Sequence, residues 1–200
     1  MQEAQNILEF WFGLLTSKTD IPEDKASMWF VNGADYDHVI REKFLTLHSQ
    51  ARCGQLSHWQ NSAKSLLALI VVLDQFSRHI YRNSAQSFAQ DEQAIQLVRG
   101  GIHAGYDQNL FFVERQFFYM PLMHAENIDI QNLSVKMFTG LRDEAPSELR
   151  ETYTRILGFA ESHHFVISSF GRFPELNEIL NRKSTESEIE FLSTGKYRFL

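Results

Sequence analysis

Eight consecutive apolar residues, Leu66 to Leu73, constrain this chain more than any other feature. A segment apolar on every side must be surrounded by protein, either as a buried strand or as a central helix. Helix is the expectation. Ala63, Lys64 and Ser65 lead in after Asn61-Ser62, and Asp74 to Arg78 continue the same periodicity. The run is far short of the ~20 residues a membrane span requires, so no membrane association is expected.

Helical spacing dominates elsewhere too. Ala4 to Phe12 gathers Ile7, Leu8, Trp11 and Phe12 on one side, with Gly13 as a stop. Asp20 and Pro22 introduce a short aromatic helix through Met28, Trp29 and Phe30. Asp35 is placed to cap a helix carrying Tyr36, Val39, Ile40, Phe44 and Leu47, ended by Gly54. Further helices are expected over Phe88 to His103, Phe111 to Glu126, Ile130 to Leu141 with Asp129 as cap, and Ser147 to Phe170. Pro121 should bend its helix or free the carbonyl near Phe117. Thr185 and Glu188 have capping-box spacing for a last short helix. No linker or fixed-period repeat interrupts the pattern. The spacing predicts an all-α chain of about eight to ten helices forming a single domain over 1–200.

Seventeen phenylalanines supply a dense core. Cys53 is the only cysteine, which excludes an intrachain disulfide and fits a reducing compartment. Gln2, Glu3 and Gln5 stand where a secretory signal would carry basic charge, so the cytoplasm is expected. A net charge of −6 argues against nucleic acid as partner, because phosphate neutralisation needs a basic face. Phosphate-loop, dinucleotide, nucleophile-elbow, His-Glu-x-x-His and Cys-x-x-Cys signatures are absent, so neither a cofactor nor a metal is expected.

Function therefore turns on polar residues that interrupt apolar helices. Asp74 and Arg78 are four apart on one face, with Gln75 beside them. Glu114 and Arg115 lie between two phenylalanine pairs, and Arg115, Tyr119 and Glu126 follow one stripe while His124 projects from the other side. Arg82 and Arg172 add positive charge beyond what Asp74 and Glu114 balance, which Asp91 and Glu126 could absorb. His163-His164 precede an apolar stretch, whereas His38, His48, His58 and His103 are expected at the surface.

The same residues carry a family resemblance. VLDQFSRHIYR, FAQDEQA, ERQFFYMPLMHAEN and ISSFGRFPELNEIL, in that order, resemble the bacterial family known as domain of unknown function 924, across almost the whole chain. The resemblance implies a right-handed α–α superhelix similar to tetratricopeptide-repeat proteins, and no known activity. It implies that Asp74, Gln75, Arg78, Tyr81, Asp91, Glu114, Arg115, His124, Glu126, His163, Arg172 and Asn177 are the family's characteristic polar positions. The family usually has proline and asparagine where Ser77 and His79 stand here. It has histidine and arginine in place of Glu175 and Leu176, and an arginine-aspartate pair in place of His164 and Phe165. Asp74–Arg78 and Glu114–Arg115 remain the core of any shared site.

Three functions compete at this point. In the first, a helical binding protein holds an acidic peptide or small anion in a groove lined by Arg78 and Arg115. In the second, an enzyme uses Glu114 or His124 as general acid or base, with Arg78 and Arg115 as electrostatic clamps. In the third, the charges only tie helices together.

Overall fold

The computed structural model describes residues 2–195, whose regular elements are all helices, with no strand among the described residues. The chain divides into two compact units, the first ending at Pro121 and the second beginning at Leu122.

In the first unit, Ser62 caps α4 (Ala63–Val71) by accepting from the Ser65 backbone N–H. Every residue from Leu66 to Leu73 is at most 2% exposed, so the apolar run is the central helix and not a strand. The rod then widens into one π-helical segment, Val72–Phe76, before α5 (Ser77–Ile80) resumes the α pattern. An i→i+5 turn of this kind inserts a residue into the rod and re-aims the side chains around it. Asp74 sits in that insertion.

Helix α1 (Gln2–Phe12) packs on α4 and buries Ile7, Leu8, Trp11 and Phe12. Gly13 ends it at φ +71°, a conformation that favours glycine. The Met28-Trp29-Phe30 stretch is a single π turn, Ser27–Val31, entered from the short α2 (Glu23–Ala26). It closes an aromatic knot: the Trp29 indole N–H donates to Trp11 O at 3.2 Å, and Trp11, Phe12 and Trp29 meet Phe117 edge-on.

Two expectations for α3 (Asp37–Arg52) are corrected. Tyr36, not Asp35, occupies the capping position, because Gly33–Tyr36 forms a 3-10 turn that absorbs Asp35. His48 is 1% exposed rather than at the surface, since it continues the i, i+4 face of Ile40 and Phe44.

The region expected as one helix from Phe88 splits into a 3-10 turn, Ala85–Phe88, and α6 (Asp91–His103). Gly101 is the closest approach in this unit. A Cβ there would lie 2.5 Å from Phe118 Cζ and 2.7 Å from Leu66 Cδ2. Gly101→Ala is therefore expected to destabilise by about 1–3 kcal/mol through overpacking, although alanine is the better helix former. A urea midpoint equal to or above wild type would show that the ring and the leucine move aside freely.

Helix α7 (Phe112–Met123) runs on through Pro121 and stops two residues later, short of the expected Glu126. In the second unit the Gln131 amide donates to Met123 O at 2.7 Å and to Ala125 O at 2.9 Å, supplying donors to carbonyls at the chain's exit from the helix. Asn127, not Asp129, caps α8 (Ile128–Glu144) by accepting from Asp129 N and Ile130 N. Helix α8 packs along α9 (Ser147–Phe170), which ends on Gly171 at φ +71°. Val166, Ile167 and Phe173 form a core with Phe170, Leu176 and Phe191. The expected capping box is present: Thr185 and Glu188 open α10 (Glu186–Ser193). Among the described residues, no helix is long and apolar enough to cross a membrane.

Candidate functional site

The π-helical insertion brings four of the singled-out residues together. Arg78 Nη1 lies 3.0 Å from Asp74 Oδ1, and the guanidinium grips Asp91 through two bonds of 3.0 Å each. Nη1 also donates to Asp74 O at 3.0 Å. Gln75 Nε2 donates to Asp74 Oδ2 at 2.5 Å and reaches Met120 Sδ on α7 at 3.3 Å. The guanidinium lies 5.6 Å from the centre of the Phe88 ring. Burial opposes the charge on Arg78, but Asp74 and then Asp91 outweigh it and hold its pKa above the ordinary arginine value. A planar fork between two carboxylates is fixed in direction as well as in charge.

Glu114 and Arg115, adjacent in sequence, enter different clusters. Glu114 is buried and pairs with Lys64 of α4, while its other oxygen accepts from Phe111 N at 2.8 Å. The expected arginine partner is thus a lysine. The Lys64 ammonium also lies 4.6 Å from the centre of the Phe111 ring. Arg115 is buried on the opposite course of α7, where Nη2 donates to Tyr119 OH at 3.4 Å and Tyr119 donates to Asp107 Oδ2 at 2.6 Å. Burial, reinforced by the bond to Asp107, raises the Tyr119 pKa well above that of a free phenol.

The charge of Arg82 and Arg172 is matched, by Asp37 and Glu188 and not by Asp91 and Glu126. Arg82 is held by Asp37 through Nε and Nη2, and Arg172 by Glu188 through bonds of 2.6 and 2.8 Å. Tyr81 lends its backbone carbonyl to Ser87 Oγ and its ring to an edge contact with His48.

In the second unit, Glu126 receives Arg182 through both oxygens and accepts from Phe173 N at 2.7 Å. Asn177 connects this pair to the next: its Oδ1 accepts from Arg182 Nε at 3.0 Å, and its Nδ2 lies 3.3 Å from Glu188 Oε2. His163 donates Nδ1–H to Phe159 O at 2.7 Å, and its ring centre is 6.5 Å from that of His124. Glu175, one of the departures from the family pattern, is a half-buried carboxyl whose pKa is raised by burial. Among the described residues no group of three or more His, Cys, Asp or Glu could hold a metal ion.

Lys64, Asp37, Arg182 and Glu188 were the partners that sequence reasoning did not find. They lie 50, 45, 56 and 16 positions from Glu114, Arg82, Glu126 and Arg172 respectively. No local spacing signals a pair of that kind.

The family model described as "Bacterial protein of unknown function (DUF924)" matches residues 7–196. A solved structure, described as that of a protein of unknown function from Agrobacterium tumefaciens, is 31% identical, with a TM-score of 0.81 over 96% of this chain and 97% of that one. No curated protein matches the chain.

Proposed function

We propose that this chain, which belongs to the bacterial family of unknown function DUF924, is a binding protein that takes an acidic peptide along the seam between α4 and α7. One observation carries the reading: in the Lys64–Glu114 and Arg78–Asp74 pairs the acid is turned inward and the base outward. The Glu114 side chain is 3% exposed and its Lys64 partner 46%. The Asp74 side chain is 1% exposed and its Arg78 partner 22%. A ligand approaching Lys64 meets the cation first, with Glu114 buried behind it; at Arg78 it meets the guanidinium beside Asp91, whose side chain is 17% exposed.

Lys64 and Arg78 stand fourteen positions apart on one helical rod, 78 − 64. That is about 20 Å of helix, a span of about six residues of extended peptide. Both ends touch α7, Lys64 through Glu114 and the Arg78 cluster through the Gln75 contact with Met120. A single small anion would use only one end. Glu114 is a poor general base in this setting, because one oxygen is paired with Lys64 and the other accepts a backbone N–H. That favours binding over the catalytic alternative. An exposed, unbridged Cys53 agrees with a cytoplasmic location.

The test is a titration with acidic peptides eight to ten residues long, against controls in which every Asp and Glu is replaced by its amide. Acidic peptides should raise the melting temperature and their amide controls should not. Binding should weaken about tenfold between low and high salt, because both cations are partly exposed. Phosphate or a dicarboxylate stabilising the protein as well as the peptides would reduce the site to one end. If nothing in the series shifts the melting temperature, the proposal fails.

A further inference from the structure

Helix α5 carries Arg78, and the residues on either side of that arginine fasten it to α3. On one side, Ser77 Oγ lies 2.7 Å from His48 Nε2, with both residues buried. The serine hydroxyl donates its own proton to Leu73 O at 2.5 Å, so the imidazole must supply Nε2–H to it. His48 is then the neutral tautomer with its lone pair on Nδ1, and Nδ1 is buried with no hydrogen-bond partner. On the other side, His79 Nδ1 lies 2.8 Å from Asp37 Oδ1, and Arg82 grips the same carboxylate. Arg41 adds a bond of 2.8 Å from α3 to Ile80 O.

We propose that the contact of His48 with Ser77 is an acid-released latch, which holds α5 against α3 at neutral pH and lets it go when the imidazole takes a second proton. The new N–H would arise on Nδ1, where no acceptor stands. The groups facing His48 offer the charge no relief. From α3 itself the nearest charge is Arg52, a cation; from the end of α5 comes the Tyr81 ring; from the π segment, the Leu73 carbonyl already engaged by Ser77. Among the described residues no carboxylate contacts His48. The carboxylates of this region are committed elsewhere, Asp37 to His79 and Arg82, Asp74 and Asp91 to Arg78.

Burial, followed by the charge of Arg52, pushes the His48 pKa down to about 4 from the ordinary 6.5. The sign follows from this. A histidine whose folded pKa is depressed gives full stability above 6.5, and loses it as pH falls from 6.5 towards 4. The opening equilibrium of α5 should rise up to about tenfold per pH unit across that window. His79 differs, because Asp37 accepts its proton and partly offsets the cost of burial. It is the hinge side of the latch, and His48 is the trigger. Release of α5 would turn Arg78 away from Asp91, and that consequence for ligand binding rests on the peptide reading above. The latch itself does not.

Hydrogen exchange on the full chain without ligand tests it directly, so a failure here is distinct from a failure to bind peptide. After correction for intrinsic rates, protection of the α5 amides should fall about tenfold between pH 6 and pH 5, while α8 stays unchanged. His48→Gln retains a donor for Ser77 and should reduce the pH dependence to the smaller part that His79, whose pKa is also lowered, contributes. Constant protection in the wild type, or an equal fall in His48→Gln, overturns the latch. Should that variant not fold, a proton NMR titration of His48 in the wild type decides: a pKa below about 5 supports the proposal, and any higher value overturns it.

Discussion

Arg78→Met is expected to cost the first unit on the order of 3–5 kcal/mol, the range for breaking a buried ion pair by removing one partner. Methionine replaces most of the arginine's volume, so the loss reports the charge and not a cavity. Arg78 serves Asp74, which is fully buried, and grips Asp91 with two bonds. Removing it leaves two carboxylates facing each other with one cation fewer. Asp74→Asn is milder, because Arg78 keeps both oxygens of Asp91; a loss of about 2 kcal/mol is expected from the weakened charged bond. Urea unfolding at pH 8 measures both. An Arg78→Met variant within about 1 kcal/mol of wild type at pH 8 would mean that the cluster is hydrated and behaves as a surface pair.

The contrast between Asp74–Arg78 and Arg78–Asp91 shows how far the sequence could be read. The first pair is four residues apart on one helix, and helix geometry alone brings the two side chains together. The second crosses a turn and a 3-10 segment to reach the first residue of α6, and nothing in the spacing foretells it. The same limit separates Thr185–Glu188, a legible capping box, from Arg172–Glu188, which is not. The apolar run at Leu66 correctly marked the central helix. The π turn that follows it was illegible, because one shifted backbone bond does not alter the pattern of apolar residues. Asp35 and Asp129 were the wrong caps for a related reason: Tyr36 and Asn127 stand one and two residues away, and side-chain type alone does not set the register. His48 was legible and was misread. Its i, i+4 spacing from Ile40 and Phe44 puts it on the buried face, and only its polarity argued for the surface. Arginine count was a poor guide to the charge available for a ligand. Arg82 and Arg172 are matched by acids from distant segments, whereas Lys64 supplies an outward cation on the proposed seam.

Arg172→Met is expected to destabilise the second unit by leaving the buried Glu188 carboxylate without its cation. Glu188 is 2% exposed, and Arg172 supplies two of its bonds, at 2.6 and 2.8 Å. The loss is partial because Glu188 keeps the Thr185 N–H at 2.7 Å and the Asn177 amide at 3.3 Å. This pair also sets an acid limit. Arg172, assisted by the Thr185 backbone N–H, holds the Glu188 carboxyl down at about 2 against an ordinary 4.5. A carboxylate with a depressed folded pKa contributes its full stability above 4.5, and that contribution disappears as pH falls from 4.5 towards 2. With Arg172 28% exposed, solvent screening reduces the contribution to about 1–2 kcal/mol. Glu188→Gln cannot titrate, so its stability should lack this component while the wild type loses it. The two proteins should therefore converge as the pH approaches 2. Hydrogen exchange of the α10 amides in both, followed from pH 6 to pH 2.5, isolates the second unit from the first. Parallel curves for wild type and Glu188→Gln would show that the pair contributes no acid-sensitive stability, and that α10 is held by Phe191 and its apolar neighbours instead.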